Sequence, residues 1–203
     1  MFRRSFLSFI GLAGFGAAVS GCPRPLPGPD GGSVTPGGVI SVINTVFDVL
    51  DTVLPIAQPF FQRFIPDGAA KAAVLASVQV VVTVGNQWKS VAATYRERGG
   101  DTCVLFALTG ALIDALVRLS RAIVDAGFGW GQEIEGLLND LGLLLDRLIG
   151  RCAADGGVDA GMLAATGRTG SAARAELNAI SDAARARGTG LRTLPPLDAS
   201  SLR

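Results

Sequence analysis

Asp48 and Asp51 lie three residues apart, close enough to share a helix face and to act as an acid/base or calcium-binding pair. Set among apolar neighbours, they better suit an exposed polar strip on a largely buried helix. Glu133 and Glu135 are two apart and point away from each other on a helix. A Ser–Lys dyad would need Lys71 with Ser77, or Lys89 with Ser90, and no motif surrounds either pair. Gly127-Phe128-Gly129-Trp130-Gly131 has glycines spaced like a phosphate loop, but it lacks a preceding strand and a lysine and reads as a turn between helices. Histidine is absent from all 203 residues, which removes His-based triads, most zinc sites and histidine proton relays. The expectation is a non-catalytic chain with no metal and no cofactor. Its formal net charge is +1, its only lysines are Lys71 and Lys89, and no cluster of cations is present to neutralise phosphates, so nucleic acid is not an expected partner.

The N-terminus carries more information. Arg3 and Arg4 precede an apolar run from Phe6 to Val19, and the small residues Ser20 and Gly21 follow it. These are the three parts of an export signal. At helical rise the run spans about 21 Å, short of a ~30 Å hydrocarbon core, so a permanent membrane helix is the weaker reading. Val19-Ser20-Gly21-Cys22 resembles the lipobox of bacterial lipoproteins. The resemblance implies cleavage after residue 21, a diacylglycerol on the Cys22 thiol, and a mature chain anchored through acyl chains and facing outside the cytoplasm. Arg3-Arg4-Ser5-Phe6-Leu7 resembles the core of the twin-arginine export signal, with Phe2 where a serine is usual and Ser8 where a lysine is common. That resemblance implies folding before export. Pro23 stands where an aspartate commonly marks inner-membrane retention, which favours the outer membrane in a cell that has one.

Loss of residues 1–21 leaves 182 (203 less 21), a comfortable size for one domain, and takes Arg3 and Arg4 with it, so the net charge becomes −1. With Cys22 assigned to lipid, Cys103 and Cys152 remain as an even pair in an oxidising compartment. Residues 22–38 hold the lipidated cysteine and a tether of five prolines and five glycines. Semi-extended at ~3.1 Å per residue, it reaches about 50 Å.

The elements that must position these groups read as helices. From Val39 to Leu54 the apolar residues follow a helical period, and Pro55 is expected to stop the helix. Residues 56–66 are then a short, proline-bracketed segment. Its Phe60, Phe61 and Phe64 plug the end of a bundle or, alternatively, form a contact patch for lipid or a partner. Asp67-Gly68 opens a long helix to about Arg98, ended by Gly99-Gly100. The β-branched run Val80–Val84 could also be a strand, but alanine-rich flanks continue the helix. On it Gln79, Thr83 and Asn86/Gln87 recur at three- to four-residue spacing, as a solvated edge or as the lining of a ligand groove.

Asp101-Thr102 resembles a helix start, and Leu105, Leu108, Leu112, Leu116, Leu119 and Ile123 follow at helical spacing. After the glycine turn, Ile134, Leu138, Leu141, Leu145, Leu148 and Cys152 form the stripe of a second helix. The midpoint of 103 and 152 is 127.5, inside that turn, so an antiparallel hairpin brings Cys103 and Cys152 to the same level and a disulfide between them is expected. Asp114, Arg118, Arg121 and Asp125 form an alternating-charge stripe read as a solvated face. An alanine-rich helix is expected over 171–187, and 188–203 as a non-helical tail.

The fold expected is all-α: an antiparallel bundle of four to five helices over residues 39–187 with a disulfide-clamped hairpin. The function expected is that of a membrane-anchored envelope lipoprotein, a non-catalytic binding, scaffold or accessory subunit with an envelope protein partner. The alternative is a carrier of a small apolar ligand or lipid in the bundle interior. A third reading inserts residues 69–88 and 103–126 into a bilayer; the disulfide and Asp114 argue against it.

Overall fold

A computed structural model describes residues 36–129, 132–154, 170–186 and 191–202. The export signal, Cys22 and most of the tether lie outside the described residues. The described residues form five helices: α1 (Pro36–Phe64), α2 (Ala69–Arg98), α3 (Thr102–Asp125), α4 (Gln132–Ala154) and α5 (Gly170–Ala186). Two-residue strands β1 (Phe128–Gly129) and β2 (Arg192–Thr193) pair in parallel, and a 3-10 turn spans Ala199–Leu202.

The clearest departure from expectation is α1, which runs unbroken through Pro55 and Pro59. Its buried stripe explains why. Val39, Ile43, Val46, Leu50, Leu54, Ala57 and Phe61 keep a three- to four-residue spacing across both prolines, so a stop at Pro55 would take Ala57 and Phe61 out of the core. The helical ladder loses partners for the carbonyls of Asp51 and Pro55, but both residues are exposed and water reaches those oxygens.

The remaining helices follow the sequence reading closely. Gly99 closes α2 in the left-handed region (φ 66°) and donates its N–H to the Tyr95 carbonyl at 3.0 Å, a position where a side chain would be strained. Val80–Val84 is helical. Asp101 is the cap of α3, and its carboxylate accepts from the backbone N–H groups of Cys103 (2.8 Å) and Val104 (3.1 Å).

Contacts between helices rise in number on one element as they fall on the next, the mark of antiparallel packing. On α1 and α2, Phe47 lies under Arg96, Asp51 bonds Lys89, and Leu54 touches the backbone at Gly85. Trp88 of α2 bonds Thr109 of α3, and Cys103 of α3 is joined to Cys152 of α4. Arg147 of α4 reaches the carbonyl of Gly38 at the start of α1 (2.5 Å), which closes the ring. α1 therefore neighbours α2 and α4, and α3 neighbours the same two. Gly85 suits this closeness, because a Cβ there would sit 3.0 Å from Leu54 Cδ1 and the leucine side chain would have to give way.

α5 lies against α3 and α4, with Ile180 buried. Within the expected non-helical tail, residues 191–202 form a strap across the α3–α4 turn. The Arg192 N–H donates to Gly127 O at 2.9 Å, Leu194 and Leu197 enter the core, and Arg63 of α1 donates to the Leu202 carbonyl at 2.5 Å.

Candidate functional site

The disulfide end of the bundle is the best-defined chemical locus. Cys103 opens α3 and Cys152 lies near the close of α4, with Cα atoms 5.1 Å apart, and Cys152 is fully buried. The symmetric spacing about the glycine turn thus brings the two cysteines together. At the same end Arg151 donates to the Tyr95 hydroxyl (3.3 Å), and Arg147 holds the first turn of α1. The start of α1 therefore lies at the disulfide end. Cys22 itself lies outside the described residues.

The phenylalanines do not form an outward patch. Phe60 and Phe61 are each 1 % exposed, edge-to-face at 5.2 Å between centroids, and only Phe64 stays half-exposed. The contact-patch alternative is corrected for Phe60 and Phe61: the unbroken α1 turns both inward. The polar residues of α2 lie elsewhere. Gln79, Thr83, Asn86 and Gln87 are all exposed on its outer face, and the Thr83 hydroxyl bonds back to the Gln79 carbonyl at 2.9 Å.

The interior holds a cavity of about 20 Å³. Its wall includes Leu50 and Leu54 of α1, Val81 of α2, Leu116 of α3, Ile134 of α4 and Leu197 of the strap, with Glu133 its one charged neighbour among the described residues. A cavity of that size accommodates about one water-sized probe. A wider cleft of about 240 Å³ opens at the surface between α3 and α5, bridged by Arg121 and Glu176 at 2.8 Å. Arg121 thus reaches across to another helix, where the sequence reading expected charge pairing along α3.

The candidate acid/base groups lie at the surface or at its edge. Asp48 is exposed, and Asp51 is bonded by Lys89. Lys71 bonds Asp67 at 2.7 Å, four residues away, so each lysine faces an aspartate and neither proposed Ser–Lys dyad forms. The Ser77 hydroxyl bonds the Ala73 carbonyl instead. The hydrogen bond and charge of Lys71 hold the Asp67 carboxyl below its ordinary range. Glu135 is exposed, and Glu133 is half-buried at the cavity. Among the described residues no group of three or more acidic or cysteine ligands could hold a metal ion.

Two features escaped the sequence reading. Phe47 is covered by the cations of Lys89 and Arg96, each 5.2 Å from its ring, and Trp88 is wholly buried with its N–H on Thr109. Level matching about the α1–α2 turn sets Phe47 against Asn86 and Asp51 against Val82, so the cations that reach them, farther along α2 at Lys89 and Arg96, are not found from spacing alone. Comparison with protein-family models, curated proteins and solved structures finds no match, so the role of the chain is argued from its own residues.

Proposed function

We propose that this chain is a membrane-anchored lipoprotein of a bacterial envelope, acting as a non-catalytic binding, scaffold or accessory subunit, with export of the twin-arginine type. The observation that carries the reading is Val19-Ser20-Gly21-Cys22, set behind a cationic start and a short apolar run and followed by a Pro/Gly tether. That tether feeds the first turn of α1 at the disulfide-clamped end, so pull from an anchor falls on the end where α3 and α4 are covalently joined. Acyl chains contribute ~0.8 kcal/mol per buried methylene, which makes multiple chains a firm hold. The small interior cavity weighs against the carrier alternative, because an acyl chain would have to part the helices.

α1, α2 and α3 each have the length and apolar composition to cross a membrane. The fold offers them another use, since they supply most of a water-excluding core. Native mass spectrometry of protein extracted gently from its host membranes tests the anchor. The expected mass begins at Cys22, carries acyl chains, and is two hydrogens lighter for the disulfide. Cys22→Ser should leave the membrane in a carbonate wash. An unlipidated mass cut elsewhere, or a carbonate-resistant Cys22→Ser protein, overturns the reading, the second in favour of inserted helices.

A further inference from the structure

The outer face of α2 is unusual for a helix turned to water. Ala73, Ala76, Val80, Thr83, Gln87 and Ser90 are exposed at alternating spacings of three and four residues, the period of a helix–helix seam. No charged residue lies between Lys71 and Lys89. Solvent-facing helix surfaces normally carry charge, as α1 does with Asp48, Asp51 and Arg63. Val80, 46 % exposed, is the most open large apolar side chain among the described residues. The hydroxyls of Thr83 and Thr94 are already bonded to carbonyls of their own helix, at 2.9 and 3.1 Å, so they bring little desolvation cost to a contact. α2 packs on α1 and α3, and no other described element covers this face.

The two ends of the helix add an independent observation. At its start, Gly68 gives no side-chain cap, the first turn holds no acid, and Ala69 and Ala70 are exposed. At its close, exposed Glu97 continues the same seam three residues beyond Thr94, with Arg96 and Arg98 beside it. The start has no capping side chain, its nearest carboxylate, Asp67, being bonded to Lys71, and the close presents the exposed carboxylate of Glu97 between two arginines.

We propose that this face pairs with the same face of a second copy of the chain, the two α2 helices running antiparallel about a two-fold axis at Thr83. In that register Glu97 of each copy meets Ala69 of the other, and its carboxylate lies at the uncapped, electropositive helix start. Arg98 meets Gly68 of the second copy, beside its exposed Asp67. The small side chains let the backbones approach closely, and Gln79, Asn86 and Gln87 supply hydrogen bonds across the seam. A hydrocarbon surface would strand those three amides, and the charge complementarity is with α2 itself. The pairing is isologous and closes as a dimer. It requires no lipid anchor and stands independently of the function proposed above.

Cysteine cross-linking of the full chain in its host membranes tests the register. Thr83→Cys, on the axis, should give a disulfide-linked homodimer under mild oxidation. Ala69→Cys alone and Glu97→Cys alone should stay monomeric, and the double variant Ala69→Cys/Glu97→Cys should cross-link. Val80→Arg, at an exposed position, should keep the thermal transition of the parent and raise the dimer dissociation constant about 100-fold, because in this register each added guanidinium lands in the seam against Asn86 of the second copy, with no carboxylate to pair it. A monomeric Thr83→Cys protein overturns the proposal, as does its cross-linking to a different polypeptide. Self-linking of Ala69→Cys shows a parallel pair and overturns the register. A dimer indifferent to Val80→Arg places the interface on another face.

Discussion

The indole N–H of Trp88 donates to the hydroxyl of Thr109 across 3.0 Å, and that hydroxyl donates in turn to the Leu105 carbonyl at 2.7 Å. Both side chains are 0 % exposed, so a polar relay lies sealed in the α2–α3 contact. Thr109→Val leaves the indole N–H without an acceptor and should destabilise the fold by about 1–3 kcal/mol. The double variant Trp88→Phe/Thr109→Val removes donor and acceptor together and should cost less than the sum of the single changes. Urea unfolding of the two single variants and the double variant measures the coupling.

Cys103 and Cys152 close a loop of 49 residues in sequence separation. The chain-entropy model assigns such a loop ~4 kcal/mol. For a domain of this size that corresponds to a fall in Tm of roughly 8–16 °C on reduction or on Cys103→Ser/Cys152→Ser. Calorimetry with and without reductant gives the comparison, and an unchanged Tm would show that packing alone holds the open end of the hairpin.

Pro55 is exposed in the middle of α1, where it withholds one backbone donor. Pro55→Ala restores the bond to the Asp51 carbonyl and should stabilise the fold by about 1–3 kcal/mol. A destabilised variant would mean that the local backbone Pro55 imposes is needed to seat Phe60 and Phe61.

Asp67 and Asp198 carry the acid sensitivity resolved in this fold. The Lys71 hydrogen bond and charge lower the first, and the Ser200 hydroxyl followed by the Ser201 N–H lower the second. With folded values below the unfolded value of about 3.9, their stabilisation is fully present above that pH and is lost as pH falls through the folded values. Having no histidine, the chain has no side chain whose ordinary pKa falls between 5 and 8. Urea midpoints should therefore be level over about pH 5–8 and decline below about pH 4. The decline is small, because Asp67 is exposed and Asp198 lies only half-buried at the surface. Asp198→Asn should lessen it and loosen the strap.

The all-α class, the long central helix, the hairpin and the pairing of its cysteines were all legible along the chain. Apolar spacing along 105–123 and 134–152 is set within each helix, and the glycine turn fixes which levels meet. The passage of α1 through Pro55 and Pro59 came from packing, because the local loss of backbone bonds is outweighed by burying Ala57, Phe60 and Phe61 against other helices. The tertiary structure also decided that Leu194 and Leu197 enter the core, since a two-residue pairing of Arg192 with Phe128 has no periodicity to read along the chain. The outward turn of Gln79, Thr83, Asn86 and Gln87 has the same origin. Their common face is local information, but whether it meets core or water depends on where α1 and α3 pack.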